Sequence, residues 1–194
     1  MLTEQPPYSG KSPETAYETL RTIVFVLMAA FLVRSFVAQP FVVQGRSMEP
    51  TFRHQEYLVV DKVKYRLEHP ERGDIIVFRA PEDPSQNYIK RIIALPGERV
   101  TIQDSTVSIN GQRLAETYLN QNVASDDTSG SFFLEKQLGP TEYFVLGDNR
   151  NHSSDSRSWG PLPAPNIIGR VLVTVFPLRD FGLIRQPEYQ ILTQ

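Results

Sequence analysis

From Ile23 to Val33 the chain reads Ile-Val-Phe-Val-Leu-Met-Ala-Ala-Phe-Leu-Val, without one polar side chain. Arg34 and Ser35 interrupt the run, and Phe36-Val37-Ala38 carries it on to Gln39-Pro40. A helix that spans a bilayer needs roughly 20 apolar residues. Counted from Leu20 to Ala38 the stretch reaches that length, provided Arg21 and Arg34 snorkel toward the two interfaces. A cleavable leader has an apolar core of this size too, but cleavage after Ala38 would leave bulky Phe36 where a small residue is wanted. A buried core helix is the third alternative. The reading adopted is a membrane anchor over residues 20–39, preceded by a flexible polar tail over 1–19 that carries Pro6, Pro7 and Pro13. Lys11 and Arg21 stand against Glu4, Glu14 and Glu18 before the segment, so charge counting does not decide its orientation.

Beyond Pro40 the pattern changes to short β-branched and aromatic runs: Tyr57–Val63, Asp74–Phe78, Ile89–Ala94, Val100–Gln103, Thr106–Ile109, Tyr143–Leu146 and Val171–Phe176. Asp104-Ser105 and Asn110-Gly111 are tight-turn signals between them. The polar stretch from Asn120 to Ser131 reads as a mobile loop. Residues 40–194 are therefore expected to form a mainly β, antiparallel and partly barrel-like body, with 104–141 a smaller β insertion. A net charge of −2 excludes the basic footprint that nucleic acid demands. The absence of cysteine removes thiolate nucleophiles, disulfides and zinc–thiolate sites. His54, His69 and His152 are too widely spaced to suggest a metal site, so neither a metal nor another cofactor is expected.

Ser47 follows Gln44-Gly45-Arg46 and precedes Met48-Glu49-Pro50. Gly45 permits a sharp approach, and the resulting turn would display both the Ser47 hydroxyl and its N–H, a candidate oxyanion donor. An unassisted hydroxyl does not attack an amide at neutral pH and needs a base within hydrogen-bond reach. Lys90, in Tyr88-Ile89-Lys90-Arg91, can be that base if burial lowers its pKa by several units. On a strand it shares a face with Tyr88 and Ile92, and Arg91 is then expected to face solvent. A third polar run, Gly147-Asp148-Asn149-Arg150 through Ser153-Ser154-Asp155-Ser156-Arg157-Ser158-Trp159-Gly160, follows a strand. In it Ser153 offers a hydroxyl to orient a neutral lysine, and Asp155 with Arg157 offers an ordering charge pair. A triad of Ser47, His152 and Asp155 is a weaker rival, because two members only three residues apart make the geometry awkward.

These boxes, in this order together with Arg72-Gly73-Asp74-Ile75-Ile76-Val77-Phe78 and Leu95-Pro96-Gly97, resemble those of the bacterial type I signal peptidases, membrane-bound Ser–Lys serine proteases. The resemblance runs from the apolar segment to Phe176. It implies Ser47 as nucleophile, Lys90 as general base, Ser153 as the lysine-orienting hydroxyl, and Asp155 with Arg157 as its support. Met48 would shape the substrate cleft, and Gly45 stands where some members carry an oxyanion-stabilising serine. The implied partners are preprotein signal peptides and the lipid bilayer. The implied location is a bacterial-type plasma membrane or a thylakoid, crossed once, with the catalytic body on the outer side. A self-cleaving Ser–Lys repressor would need a DNA-binding domain where the apolar segment lies. An anchored β-domain that binds partners without catalysis is the rival from another class.

Overall fold

The structure, a computed structural model, describes residues 13–119, 132–184 and 191–192. The expected mobile loop at 120–131 thus lies outside the described residues. The chain divides into two compact units, Met1–Val37 and Ala38–Gln194.

In the first unit Pro13–Phe36 form helix α1. Proline is tolerated in a helix's opening turn, where its missing N–H would have had no partner, and no glycine or proline follows until Pro40. Thr19 and Thr22 donate their hydroxyls back to the carbonyls of Thr15 and Glu18 at 2.7 and 2.9 Å. Those bonds satisfy the polar atoms inside the helix's own surface. Its stretch Thr15–Arg34, 20 residues, is long and apolar enough to cross a membrane, and none of it is buried within the protein. The tail expected over 1–19 is therefore helical from Pro13 onward, because nothing after that proline breaks the helix; residues 1–12 lie outside the described residues.

The second unit contains β1 (Ala38–Val42), β2 (Tyr57–Asp61), the short helix α2 (Lys64–Leu67), β3 (Ile75–Arg79), β4 (Asn87–Ala94), β5 (Arg99–Gln103), β6 (Thr106–Ile109), β7 (Gln112–Leu114), β8 (Phe133–Gln137), β9 (Glu142–Leu146), α3 (Ser156–Trp159), β10 (Leu162–Pro163), β11 (Ile167–Phe176), β12 (Gly182–Leu183) and β13 (Ile191–Leu192). Among the described residues all pairings are antiparallel, in two sheets. The larger follows the order β1-β2-β11-β3-β4-β9-β10, with β12 on β11. β11 serves three neighbours: it pairs with β2 through Arg170–Phe176, with β3 through Ile167–Arg170 and with β12 through Val173 and Thr174. Bulges in these ladders bend the sheet. It stays open, because β1 and β10 stand at opposite ends of the path. The smaller sheet runs β13-β7-β6-β5-β8. Its two tight turns take positive φ at Asp104, Ser105, Asn110 and Gly111, the mirror-image turns that match strand twist.

β4 positions the site. Its residues from Lys90 to Ala94 are all buried, so it reads as a continuous apolar run broken only by Lys90 and Arg91. Ile92 joins one cluster with Ile76, Phe78, Tyr143, Val145 and Leu162. Ile93 and Ala94 join another with Val100, Ile102, Val107, Ile109, Phe144 and Leu146, which ties the smaller sheet to β4 and β9. A third cluster, of Val43, Met48, Phe52, Leu58, Val60, Ile75, Val77 and Val171, lies under the Ser47 turn. Burying each such aliphatic side chain stabilises the fold by about 1.5–3 kcal/mol.

Candidate active site

Ser47 sits in the excursion between β1 and β2. The neck of that excursion is closed by backbone bonds from the Val43 N–H to the Glu56 carbonyl (2.8 Å) and from the Gln55 N–H to the Val43 carbonyl (2.9 Å). Inside it the Glu49 N–H donates to Arg46 and the Phe52 N–H to Met48, at 3.1 and 2.9 Å. Gly45 takes φ +96°, a conformation that disfavours any side chain, and its N–H donates to His54 Nδ1 at 3.1 Å. The Gly45 N–H is thus engaged. Met48 is 1% exposed and packs in the cluster whose Val43, Leu58 and Val77 also line the cleft beside Ser47.

Lys90 Nζ donates to Ser47 Oγ at 2.8 Å and to the Ile89 carbonyl at 3.0 Å, and lies 5.6 Å from the centre of the Tyr88 ring. The residue is 4% exposed. Burial penalises its ammonium form and brings the pKa down to about 8; Asp155 and Asp148 push upward against that, and Arg157 adds to the lowering. An amine of this kind is neutral in about a tenth of molecules at pH 7 and about half at pH 8, far more than an ordinary lysine, and it touches a hydroxyl. Such a pair can take the proton of an attacking serine.

The loop that follows β9 packs against both partners. The Asn149 N–H donates to the Ser47 carbonyl at 2.9 Å. Gly147 has no room for a side chain, since a Cβ there would run into Ser153 Oγ and the Ser47 carbonyl oxygen. Asp155 caps α3 through the Arg157 N–H, accepts the Gly147 N–H at 3.0 Å and pairs with the Arg157 guanidinium at 2.8 and 2.9 Å. Burial alone would raise the Asp155 pKa, but the hydrogen bonds and charge of Arg157 outweigh it, with help from Gly147 and Ser153, and hold it below the usual carboxylate range. Ser153 Oγ is buried near that carboxylate yet makes no hydrogen bond of normal geometry, to Lys90 or to any other described residue. His152 lines the cleft but its Nδ1 faces Asn149 Oδ1 at 3.3 Å, and the hydrogen-bond partner of Ser47 Oγ is Lys90.

Arg91 corrects the sequence reading. It is 2% exposed and does not face solvent, because β9 covers this part of β4 and an acidic partner waits inside. Its guanidinium grips Asp148 at 2.6 and 2.9 Å, and Thr51 Oγ1 donates to the same carboxylate at 2.6 Å. Asp148, Thr51 and Arg91 thereby lock together the three segments that hold Ser47, Lys90 and the loop after β9. Asp148 stands inside the third polar run and Thr51 directly after Pro50, but neither carried a role there. A charged residue flanking an apolar strand run was the only available signal.

The cleft itself, about 570 Å³, runs between Pro40–Ser47 on one wall and Gln86–Lys90 on the other, over Leu58 and Val77. Residues 16–176 match the family model for signal peptidase, peptidase S26. The chain belongs to that family. As a member of the S26 peptidases it is a serine peptidase. It is 38% identical to the signal peptidase I of Leptolyngbya laminosa over 91% of this chain and 88% of that one. A probable signal peptidase I-1 of Synechocystis sp. is 40% identical over 85% of each chain. The signal peptidase I of Bacillus amyloliquefaciens is 37% identical over 93% of this chain and 97% of its own. A crystal structure of a signal peptidase I from Enterococcus faecalis V583 aligns with 53% of this chain and 97% of that one, at 36% identity and a TM-score of 0.47.

Proposed function

We propose that this S26 peptidase removes N-terminal signal peptides from preproteins by acyl transfer through Ser47 and Lys90. The observation that carries the reading is the 2.8 Å contact between a buried, pKa-lowered amine and a hydroxyl, both lining one cleft. In the reactive form the amine is neutral and accepts the Ser47 proton as Oγ attacks the carbonyl at the end of the signal peptide. The proton passes to the leaving amine of the mature protein. Water activated by the same lysine then releases the acyl group, and the enzyme is regenerated without a cofactor. The Ser47 N–H is the backbone donor placed for the oxyanion.

Ser153 is the hydroxyl available to orient the amine, and Asp155 with Arg157 supports it. Gly45 shapes the wall of the cleft, and Met48 supports it from beneath, packed in the cluster of Val43, Leu58 and Val77. An extended substrate fits between Pro40–Ser47 and Gln86–Lys90 as an added strand, its small side chains directed onto Leu58 and Val77. We further read residues 20–39, which α1 fills as far as Phe36, as a single-pass anchor in a bacterial-type plasma membrane or a thylakoid. The body from residue 40 then works on the outer side, with 104–141 read as a smaller insertion whose strands β6, β7 and β8 share a sheet with β5 before it and β13 after β12.

The test is cleavage of a preprotein by detergent-solubilised wild type, Ser47→Ala and Lys90→Ala, with N-terminal sequencing of the product. The expected outcome is cleavage after a small-x-small site by the wild type alone. Activity surviving in Lys90→Ala, with the fold intact, would mean that another group is the base. Addition of protease from either side of sealed vesicles reports the sidedness.

A further inference from the structure

Three arginines surround the Ser47–Lys90 pair, and each has a carboxylate. Arg91 takes Asp148 and Arg157 takes Asp155, both acids from the loop after β9. Arg150 is different, because its acid comes from the smaller sheet. Glu116, just past the end of β7, receives both Arg150 Nη1 (3.1 Å) and Arg150 Nη2, and the two side chains are only 9% and 11% exposed. Tyr118 donates its hydroxyl to Glu116 Oε1 at 2.5 Å and lays its ring 4.1 Å from the Arg91 guanidinium carbon. Its body packs into the cluster formed by Val107, Ile109 and Leu114 of the smaller sheet with Phe144 and Leu146 of β9.

Arg150 passes this grip on. Its Nε donates to the Gly147 carbonyl at 3.1 Å, and its own carbonyl accepts Arg157 Nη2 at 2.6 Å. Gly147 in turn holds Asp155, and Asn149 holds the Ser47 carbonyl. We infer that the smaller sheet serves the reaction through Glu116 and Tyr118, which clamp Arg150 and Arg91 and so fix the 147–152 loop and β4 against Ser47 and Lys90. Both are positioning residues, since neither reaches the cleft. This rests on Ser47 and Lys90 being the working pair.

The physical consequence follows from burial. Without the Glu116 charge, a guanidinium nine-tenths covered loses its counter-ion and turns toward water, because an uncompensated buried charge is strongly unfavourable. The Gly147 and Arg157 contacts of Arg150 go with it. The loop then loosens over the Lys90 amine, which faces Tyr88, Asp148, Asp155 and Arg157 and whose low pKa depends on exclusion of water.

The experiment compares Glu116→Gln, Glu116→Asp and Tyr118→Leu in the full-length enzyme in detergent. Glu135→Gln, which removes an exposed partner of Arg99 on the same sheet, is the control. Three quantities are read: the melting temperature, kcat and KM on a signal-peptide substrate, and the Lys90 titration midpoint by NMR. Glu116→Gln and Tyr118→Leu should lower kcat about tenfold, as a small misplacement of reacting groups does, with KM little changed. Their Lys90 midpoint should move up from about 8, and Glu116→Asp should recover part of both losses. A lower melting temperature with kcat or the Lys90 midpoint unmoved would reduce the clamp to a structural pair and overturn the inference. If Glu116→Gln does not fold, Tyr118→Leu decides by the same readings. The titration is measured whether or not Lys90 is the base. Cleavage surviving in Ser47→Ala or Lys90→Ala would therefore remove the dyad without erasing the clamp's own readout.

Discussion

Lys90 is held where an amine is least comfortable, and its lowered pKa and its energetic cost have one origin. Burial brings its pKa from 10.5 to about 8. Activity that needs the neutral amine should rise with pH through a limb centred near 8 and fall below it. A kcat/KM profile between pH 6 and 10 checks this, and a limb near 10 would sink the assignment. The same shift bears on stability. Between pH 8 and 10.5 the unfolded chain binds the lysine proton and the folded chain does not, so stability contributed by this site rises with pH and is lowest where both are charged. Replacing the lysine by an apolar side chain of similar length should remove that penalty. Lys90→Met is expected to be inactive yet more stable than wild type by roughly 1–3 kcal/mol at pH 7, read by denaturant unfolding. At this scale the sequence was informative about identity: Ser47 and Lys90 are distinguishable by their neighbours. It was misleading about Arg91, because strand alternation assigns a face but cannot foresee that β9 and Asp148 will cover it.

Among the elements, the loop after β9 does the joining. It offers Asn149 to Ser47, Asp148 to Arg91 and Thr51, and Asp155 to Gly147. Asp148 is 1% exposed and Arg91 2%, so Asp148→Ala leaves a buried guanidinium unpaired. Removal of one partner from such a pair costs on the order of 3–5 kcal/mol, and thermal or denaturant unfolding should show it. Thr51→Val, which deletes only a hydroxyl bonded to the same carboxylate, should cost about 1–3 kcal/mol. Gly147→Ala is expected to lower activity by displacing Ser153 or the Ser47 carbonyl, since its Cβ has no space there. A variant with wild-type kcat would show that the loop can yield. The strands of this region were legible as β-branched runs. Their bulges, and the division of β11 among three partners, were not, because those arise from how sheet segments must bend to share one core.

The whole molecule separates into an apolar helix and a β-rich body that form distinct compact units. A chain of residues 38–194 should therefore still cleave a soluble peptide while losing association with bilayers, which vesicle flotation measures. Loss of peptide cleavage on helix removal, with the β body folded, would tie the helix to the chemistry itself. What the sequence determined alone were the local and compositional facts: a helix over the apolar run, mirror-image turns at Asp104-Ser105 and Asn110-Gly111, and the chemical types of the site residues. Those depend on side-chain hydrophobicity and backbone preference within a few residues. Tertiary structure alone decided that Lys90 meets Ser47 across 43 positions, that Asp148 neutralises Arg91, and that Glu116 reaches Arg150 from the other sheet. Each of those depends on how much water is excluded and which charge lies near, quantities that belong to the packed chain and to no segment of it.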